Sequence, residues 1–165
     1  MRHQESDFLQ TELSRVSDWI QFTDQKAGFI AVFYSAILGY LITKRDVILS
    51  NLFICNETCD IWPLLFIGLI ILLAMGIYQL FFTVVPKLKN TNTKESLFYF
   101  GTVAALRLED FQIKFESMTD EEARKQLVEQ IHTNSMIANT KMVSVKKSAV
   151  FLFCSGILVF LLFII

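Results

Sequence analysis

Proline and glycine are scarce in this chain, two and six among 165 residues, which leaves collagen-like, repeat and low-complexity architectures without support. Histidine is scarcer still, His3 and His132 alone. The sequence contains no His-Glu-x-x-His step, no Gly-rich phosphate loop and no Gly-x-Ser-x-Gly elbow. A lone His132 has no sequence partner to make it a general base, so no catalytic residue, resident metal or cofactor is expected. Charge is absent altogether from three stretches, residues 27–43, 61–85 and 148–165, of 17, 25 and 18 residues. A bilayer hydrocarbon core of roughly 30 Å needs a helix of about that length. Three membrane crossings follow. Those crossings carry no Asp, Glu, Lys or Arg, and so lack the charged relay on which transporters and proton pumps depend.

What is abundant is apolar side chain. Hydrophobic residues make up 53% of the chain and phenylalanine alone contributes sixteen, more than a soluble domain of this size needs. The formal net charge of −1 conceals segregation. Arg2, Arg15 and Lys26 precede the first apolar run, and Lys87, Lys89, Lys94, Arg107, Lys114, Arg124, Lys125, Lys141, Lys146 and Lys147 lie between the second and third. Only Lys44 and Arg45 border the loop between the first two. By the positive-inside rule, thirteen cations against two place the N-terminus and the central block in the cytoplasm. The connecting loop and the C-terminus are then outside. The first 26 residues are polar and lack a small-residue cleavage site, so the first run reads as an uncleaved anchor.

The expected organisation is a cytoplasmic amphipathic helix over residues 1–26, a first span over 27–43, and an external loop over 44–60. A second span over 61–85, a cytoplasmic helical region over 86–147 and a third span over 148–165 complete it. The fold class is an all-α membrane protein, its first and third spans extended as stalks. Leu9, Leu13, Val16 and Ile20 recur at helical spacing, with Phe8 and Trp19 widening the stripe. Nothing breaks that pattern, so one rod runs from about residue 5 to residue 43. Trp62 suits the interface and Pro63 a first helical turn. Residues 87–94 read as a loop, followed by the aromatic cluster Leu97, Phe98, Tyr99, Phe100 and Gly101. A helix is expected from about residue 108 to 117, with Phe111 and Phe115 on one face. Thr119 followed by Asp120, Glu121 and Glu122 signals the start of a last helix that no proline interrupts.

Polar residues interrupt both stalk seams. The last helix carries Leu127, Ile131, Asn134, Ala138, Lys141 and Val145 along one face, and the first continues from Ile20 through Asp24 to Ala27. If the stalks are neighbours, Asp24 can meet Lys141, with Lys146 and Lys147 as alternatives nearer the bilayer. Three readings stay open for Asp24 and Lys26: interfacial residues reaching for headgroups, a structural ion pair, and a ligand contact. Asn134 and Asn139 read as register-setting seam residues or as ligand contacts. Cys55 and Cys59 flank Asn56, Glu57 and Thr58 in the outer loop, where a local disulfide, a zinc ligand pair and a glycosylation sequon are all open readings. Cys154 lies inside the third run and reads as packing.

Three segments together resemble a known family. Residues 17–28 end in an Asp-x-Lys-Ala step at Asp24, Lys26 and Ala27 directly before a membrane helix. The aromatic cluster at 97–101 is followed by a Leu-x-x-Glu-Asp-Phe-like helix start at 107–111. Glu129, Gln130, Ile131 and His132 then lead through Asn139, Lys141, Lys146 and Lys147 into the last span. In this order they are similar to the transmembrane effector family of the pyrimidine cyclic nucleotide anti-phage system, Pycsar, over about residues 10–165. The resemblance implies a bacterial inner-membrane protein paired with a pyrimidine nucleotide cyclase. Such an effector would sense cyclic CMP or cyclic UMP and impair the membrane, causing abortive infection.

Physical chemistry narrows where that ligand can bind. A cyclic monophosphate needs cations or N–H groups for its single negative charge, and its base favours an aromatic face. Arg107 and Lys94 are candidates for the phosphate, Phe98, Tyr99 and Phe100 for stacking, and Asn134 or Asn139 for the base edge. Core packing competes as an explanation for Phe98 and Phe100, and simple solvation for Arg107. Three spans are too few for an aqueous pore, so membrane damage implies a homo-oligomer with lipid as its target; nucleic acid is not an expected partner. The competing class is a membrane-anchored helical adaptor for a cytoplasmic protein. A membrane phosphodiesterase would need a metal-ligand cluster that the sequence lacks.

Overall fold

A computed structural model describes residues 2–53, 61–85 and 96–164. Among these every element is an α-helix: α1 (Arg2–Thr43), α2 (Arg45–Phe53), α3 (Ile61–Val84), α4 (Phe100–Ala105), α5 (Leu108–Ser117) and α6 (Asp120–Ile164). α1, α3 and α6 each contain a stretch long and apolar enough to cross a membrane. The chain divides into two compact units, one of Met1–Phe22 with Lys87–Thr140, the other of Thr23–Pro86 with Lys141–Ile165. Both long helices contribute to both units.

The membrane unit is built on a seven-residue repeat. α1 buries Ala27, Tyr34 and Leu41, and α6 buries Ser148, Ser155 and Leu162. In α3 the buried residues are Leu69, Leu73, Gly76, Leu80 and Thr83, alternately four and three apart. A strict heptad keeps one seam facing its neighbours when helices wind around each other with a left-handed twist. The seam is not apolar throughout: Thr23, Thr83, Ser148 and Ser155 are all fully buried. Ser155 and Thr83 satisfy their hydroxyls on their own helices, at the carbonyls of Phe151 and Gln79. Outside the seam, Phe29, Phe33, Ile67, Phe81, Phe153 and Phe160 are exposed, an outward apolarity that suits lipid.

The segment expected as a loop after the first span begins helical. Lys44 N–H donates to the Tyr40 carbonyl and Ile48 N–H to the Lys44 carbonyl, so α1 passes into α2 across a single residue. No Pro or Gly lies between Thr43 and Phe53 to prevent it, and Ile48 joins the core with Leu41. Cys55 and Cys59 lie outside the described residues, as does the loop expected at 87–94.

In the other unit, α5 spans the expected residues. Its start and stop are set by backbone: Arg107 before it and Met118 after it are both extended, and the Met118 N–H closes the last turn on the Phe115 carbonyl. The rings of Phe111 and Phe115 stack at 6.0 Å along one face. α6 begins with the expected capping box. Thr119 donates its backbone N–H and its hydroxyl to the Glu122 carboxylate, both at 2.9 Å, and its Oγ1 accepts the Glu122 N–H at 3.3 Å. α4 was not expected. It follows Tyr99, whose ring lies where a side chain on Gly101 would project, so a larger residue there would have to displace that ring. The Leu97 N–H donates to Gln126 Oε1 at 2.9 Å and ties this segment to α6.

Candidate functional site

The membrane unit holds one ionic contact between different spanning helices among the described residues. Lys141 of α6 donates from Nζ to both carboxylate oxygens of Asp24 on α1, at 2.6 and 2.8 Å. The sequence places Asp24 three residues before its span and Lys141 seven, an axial offset of about 6 Å at helical rise, which a lysine stem can bridge. The two partners differ in exposure: the Lys141 side chain retains 14% of its surface, that of Asp24 45%. The lysine side chain is mostly covered and that of the aspartate is half in solvent. Thr23 and Ala27 on α1 and Val145 on α6 are buried beside the pair. Of the readings left open for Asp24, the ion pair is the one observed. Lys26 is exposed two residues further on, a spacing that turns it away from the Asp24 face.

Above this pair a second contact joins all three spanning helices. The Tyr34 hydroxyl donates to the Ser148 carbonyl at 2.9 Å, and the Ser148 hydroxyl donates to the Gly76 carbonyl at 2.9 Å. A methyl group on Gly76 would overlap the Tyr34 phenol. Trp62 adds a bond from its indole N–H to the Leu162 carbonyl at 3.3 Å. The Tyr34–Ser148–Gly76 node was not read from the sequence. The signal was there, since Asn134, Lys141, Ser148 and Ser155 follow one another at intervals of seven. Treating the charge-free runs as uniformly apolar hid it.

The remaining candidates belong to the other unit. Phe98 is half-buried, and its N–H is held by Ser96 Oγ at 3.3 Å. The Phe100 side chain lies outside the described residues. Arg107 is exposed at the start of α5. Asn134 is half-buried and accepts from Gln130 Nε2 at 3.0 Å, whereas Asn139 is exposed. Among the described residues no hydrogen bond or ion pair joins Phe98, Arg107, Asn134 and Asn139 to one another. The seam predicted for α6 is buried or half-buried at each position from Leu127 to Val145. Phe8 and Trp19 are not part of the α1 stripe: both are exposed, Trp19 meeting Phe22 edge-to-face at 5.9 Å. The described residues contain no group of three His, Cys, Asp or Glu able to hold a metal.

Among the described residues one titration is displaced outside the spans. The Thr119 backbone N–H, and then its hydroxyl, bond the Glu122 carboxylate and hold it below the ordinary glutamate range. This is a helix-start effect, distant in the sequence from the ion pair.

A family model described as the Pycsar effector protein domain matches residues 8–165. The chain belongs to the Pycsar effector family. Neither a curated protein nor a solved structure matches it. As a Pycsar effector it is an anti-phage defence protein rather than the cyclase of such a system, and its three apolar helices make it a membrane protein. Pycsar membership also implies pairing with a cyclase and cyclic nucleotide signalling.

Proposed function

We propose that the chain senses a cyclic pyrimidine nucleotide, cyclic CMP or cyclic UMP, and responds by impairing the bacterial inner membrane so that the infected cell dies. The observation carrying this reading is the Pycsar match over nearly the whole chain. It is supported by a mostly covered lysine, Lys141, on a seam shared by two of three apolar helices. Cation asymmetry orients the protein with its N-terminus and residues 86–147 inside, where a nucleotide made in the cell can reach them. Lys141 is a proposed phosphate ligand within the membrane unit. In the other unit, taken by itself, Arg107 is a separate candidate for the phosphate, with Phe98 and Phe100 for stacking and Asn134 or Asn139 for the base edge. Neither catalysis nor a metal is part of this reading.

Binding shifts a two-state protein only by its differential affinity for the two states, roughly 5 kcal/mol to take the active state from rare to dominant. α1 and α6 each contribute residues to both units. Damage to the bilayer would require several copies, since three helices cannot enclose water. The test is membrane potential and growth in cells making this chain with an active pyrimidine cyclase, or either alone. Depolarisation and arrest are expected only with both; unchanged potential with both refutes the proposal.

One observation favours a second reading. Leu108, Ile113 and Phe115 of α5 are 78%, 65% and 58% exposed, as a module that recruits a protein partner would require. Such an adaptor would bind neither cyclic CMP nor cyclic UMP.

A further inference from the structure

Four ion pairs occur among the described residues, and they are not equivalent. Arg15 with Glu12 and Arg45 with Asp46 are local, and Arg124 with Glu5 is more than half exposed on both sides. Pairs of that kind contribute little. Lys141 is different, for its side chain as a whole retains only 14% of its exposure and both of its contacts are to one carboxylate. A mostly covered lysine side chain loses more when its counter-ion is removed than a half-exposed carboxylate does when its cation is removed, since the carboxylate hydrates more readily. The dependence is therefore one-sided: Lys141 requires an anion, and Asp24 does not require Lys141.

We infer that Asp24 is a built-in competitor for the ligand phosphate at Lys141, holding α1 against α6 until a monoanionic phosphodiester takes its place. This deepens the sensing reading and rests on it. A phosphodiester carries the same single charge as the carboxylate and offers oxygen acceptors to the same ammonium. Exchange of one for the other leaves Lys141 satisfied and frees Asp24 to turn into water. What changes is that the anion satisfying α6 is no longer attached to α1. The Tyr34–Ser148–Gly76 node lies deeper along the same helices, involves neutral groups and is fully buried at Tyr34 and Ser148. It would stay closed while the ionic contact opens, so that the helices part about a fixed point.

The test is equilibrium binding of radiolabelled cyclic CMP and cyclic UMP to the full-length chain in detergent, for the wild type, Asp24→Asn, Lys141→Gln and Asp18→Asn. Removing the competitor should tighten binding by about tenfold or more, the worth of a hydrogen bond to a charged group, and removing the cation should weaken it by about as much. Asp18→Asn removes the same charge from an exposed site on the same helix and should leave binding unchanged. Equal or weaker binding by Asp24→Asn, or equal tightening by Asp18→Asn, would overturn the inference and leave the sensing reading intact. Failure of the wild type and Asp24→Asn alike to bind either nucleotide would instead strike the sensing reading.

If Asp24→Asn does not accumulate, a spin-label distance measurement with the pair intact carries the test. Labels at Gly28→Cys and Val143→Cys, with Cys55, Cys59 and Cys154 replaced by serine, should move apart at saturating nucleotide. An unchanged distance overturns the inference.

Discussion

Tyr34, Ser148 and Gly76 illustrate how much a few atoms decide inside a membrane. Apolar burial does not drive helices together in lipid, so close packing and hydrogen bonds carry the specificity. Gly76 leaves the space the Tyr34 phenol occupies on its way to the Ser148 carbonyl. Gly76→Ala should therefore destabilise the detergent-solubilised protein by about 1–3 kcal/mol through overpacking. Tyr34→Phe, which loses only the hydroxyl bond, should cost about 0.6 and at most about 1.7 kcal/mol. The double variant Gly76→Ala with Tyr34→Ala should recover part of the glycine loss, because the obstructing ring is gone. Thermal melts of the wild type, Gly76→Ala, Tyr34→Ala and the double variant check this, and strict additivity would contradict it. At this scale Asp24 and Lys141 were legible in the sequence, since charges on apolar seams stand out. Tyr34 was not: a hydroxyl among apolar residues differs little from a lipid-facing tyrosine until its partner helix is known.

At the level of elements, local chemistry was the reliable guide. The Thr119–Glu122 box, the extent of α5 and the unbroken length of α6 follow from caps and from the absence of breakers. α2 and α4 were missed for opposite reasons. The charges at Lys44 and Arg45 suggested that the helix stops at the membrane edge, yet no backbone signal ends it there. α4 is six residues stabilised by tertiary contact, and Gly101 within it argues against a helix on propensity alone. The capping box carries a pH prediction. Glu122 is held below its ordinary range in the folded chain, so its contribution is present above the unfolded glutamate value of about 4.3 and lost as pH falls through the lower folded value. Amide exchange at Glu121, Glu122 and Ala123 should accelerate relative to the rest of α6 on acidification through that window. In Glu122→Gln the acceleration should vanish; its persistence would assign the effect to another group.

For the whole molecule, the charge-free runs were enough to give three spanning helices and the all-α class. They could not give the packing seam, because periodicity within a uniformly apolar run is silent about which face meets protein and which meets lipid. The proposed ligand site was equally illegible. Its candidates are common residue types, of which Asp24 and Lys141 are in direct contact. The breadth of exposed phenylalanine on the spanning helices suits both lipid and further copies of the chain, as damage by an assembly of subunits requires. Purified chain reconstituted into dye-loaded liposomes, with no other protein present, tests the account most directly. Cyclic CMP or cyclic UMP should release the dye within a concentration range where cyclic AMP does not; liposomes that stay sealed with both pyrimidine nucleotides would contradict it.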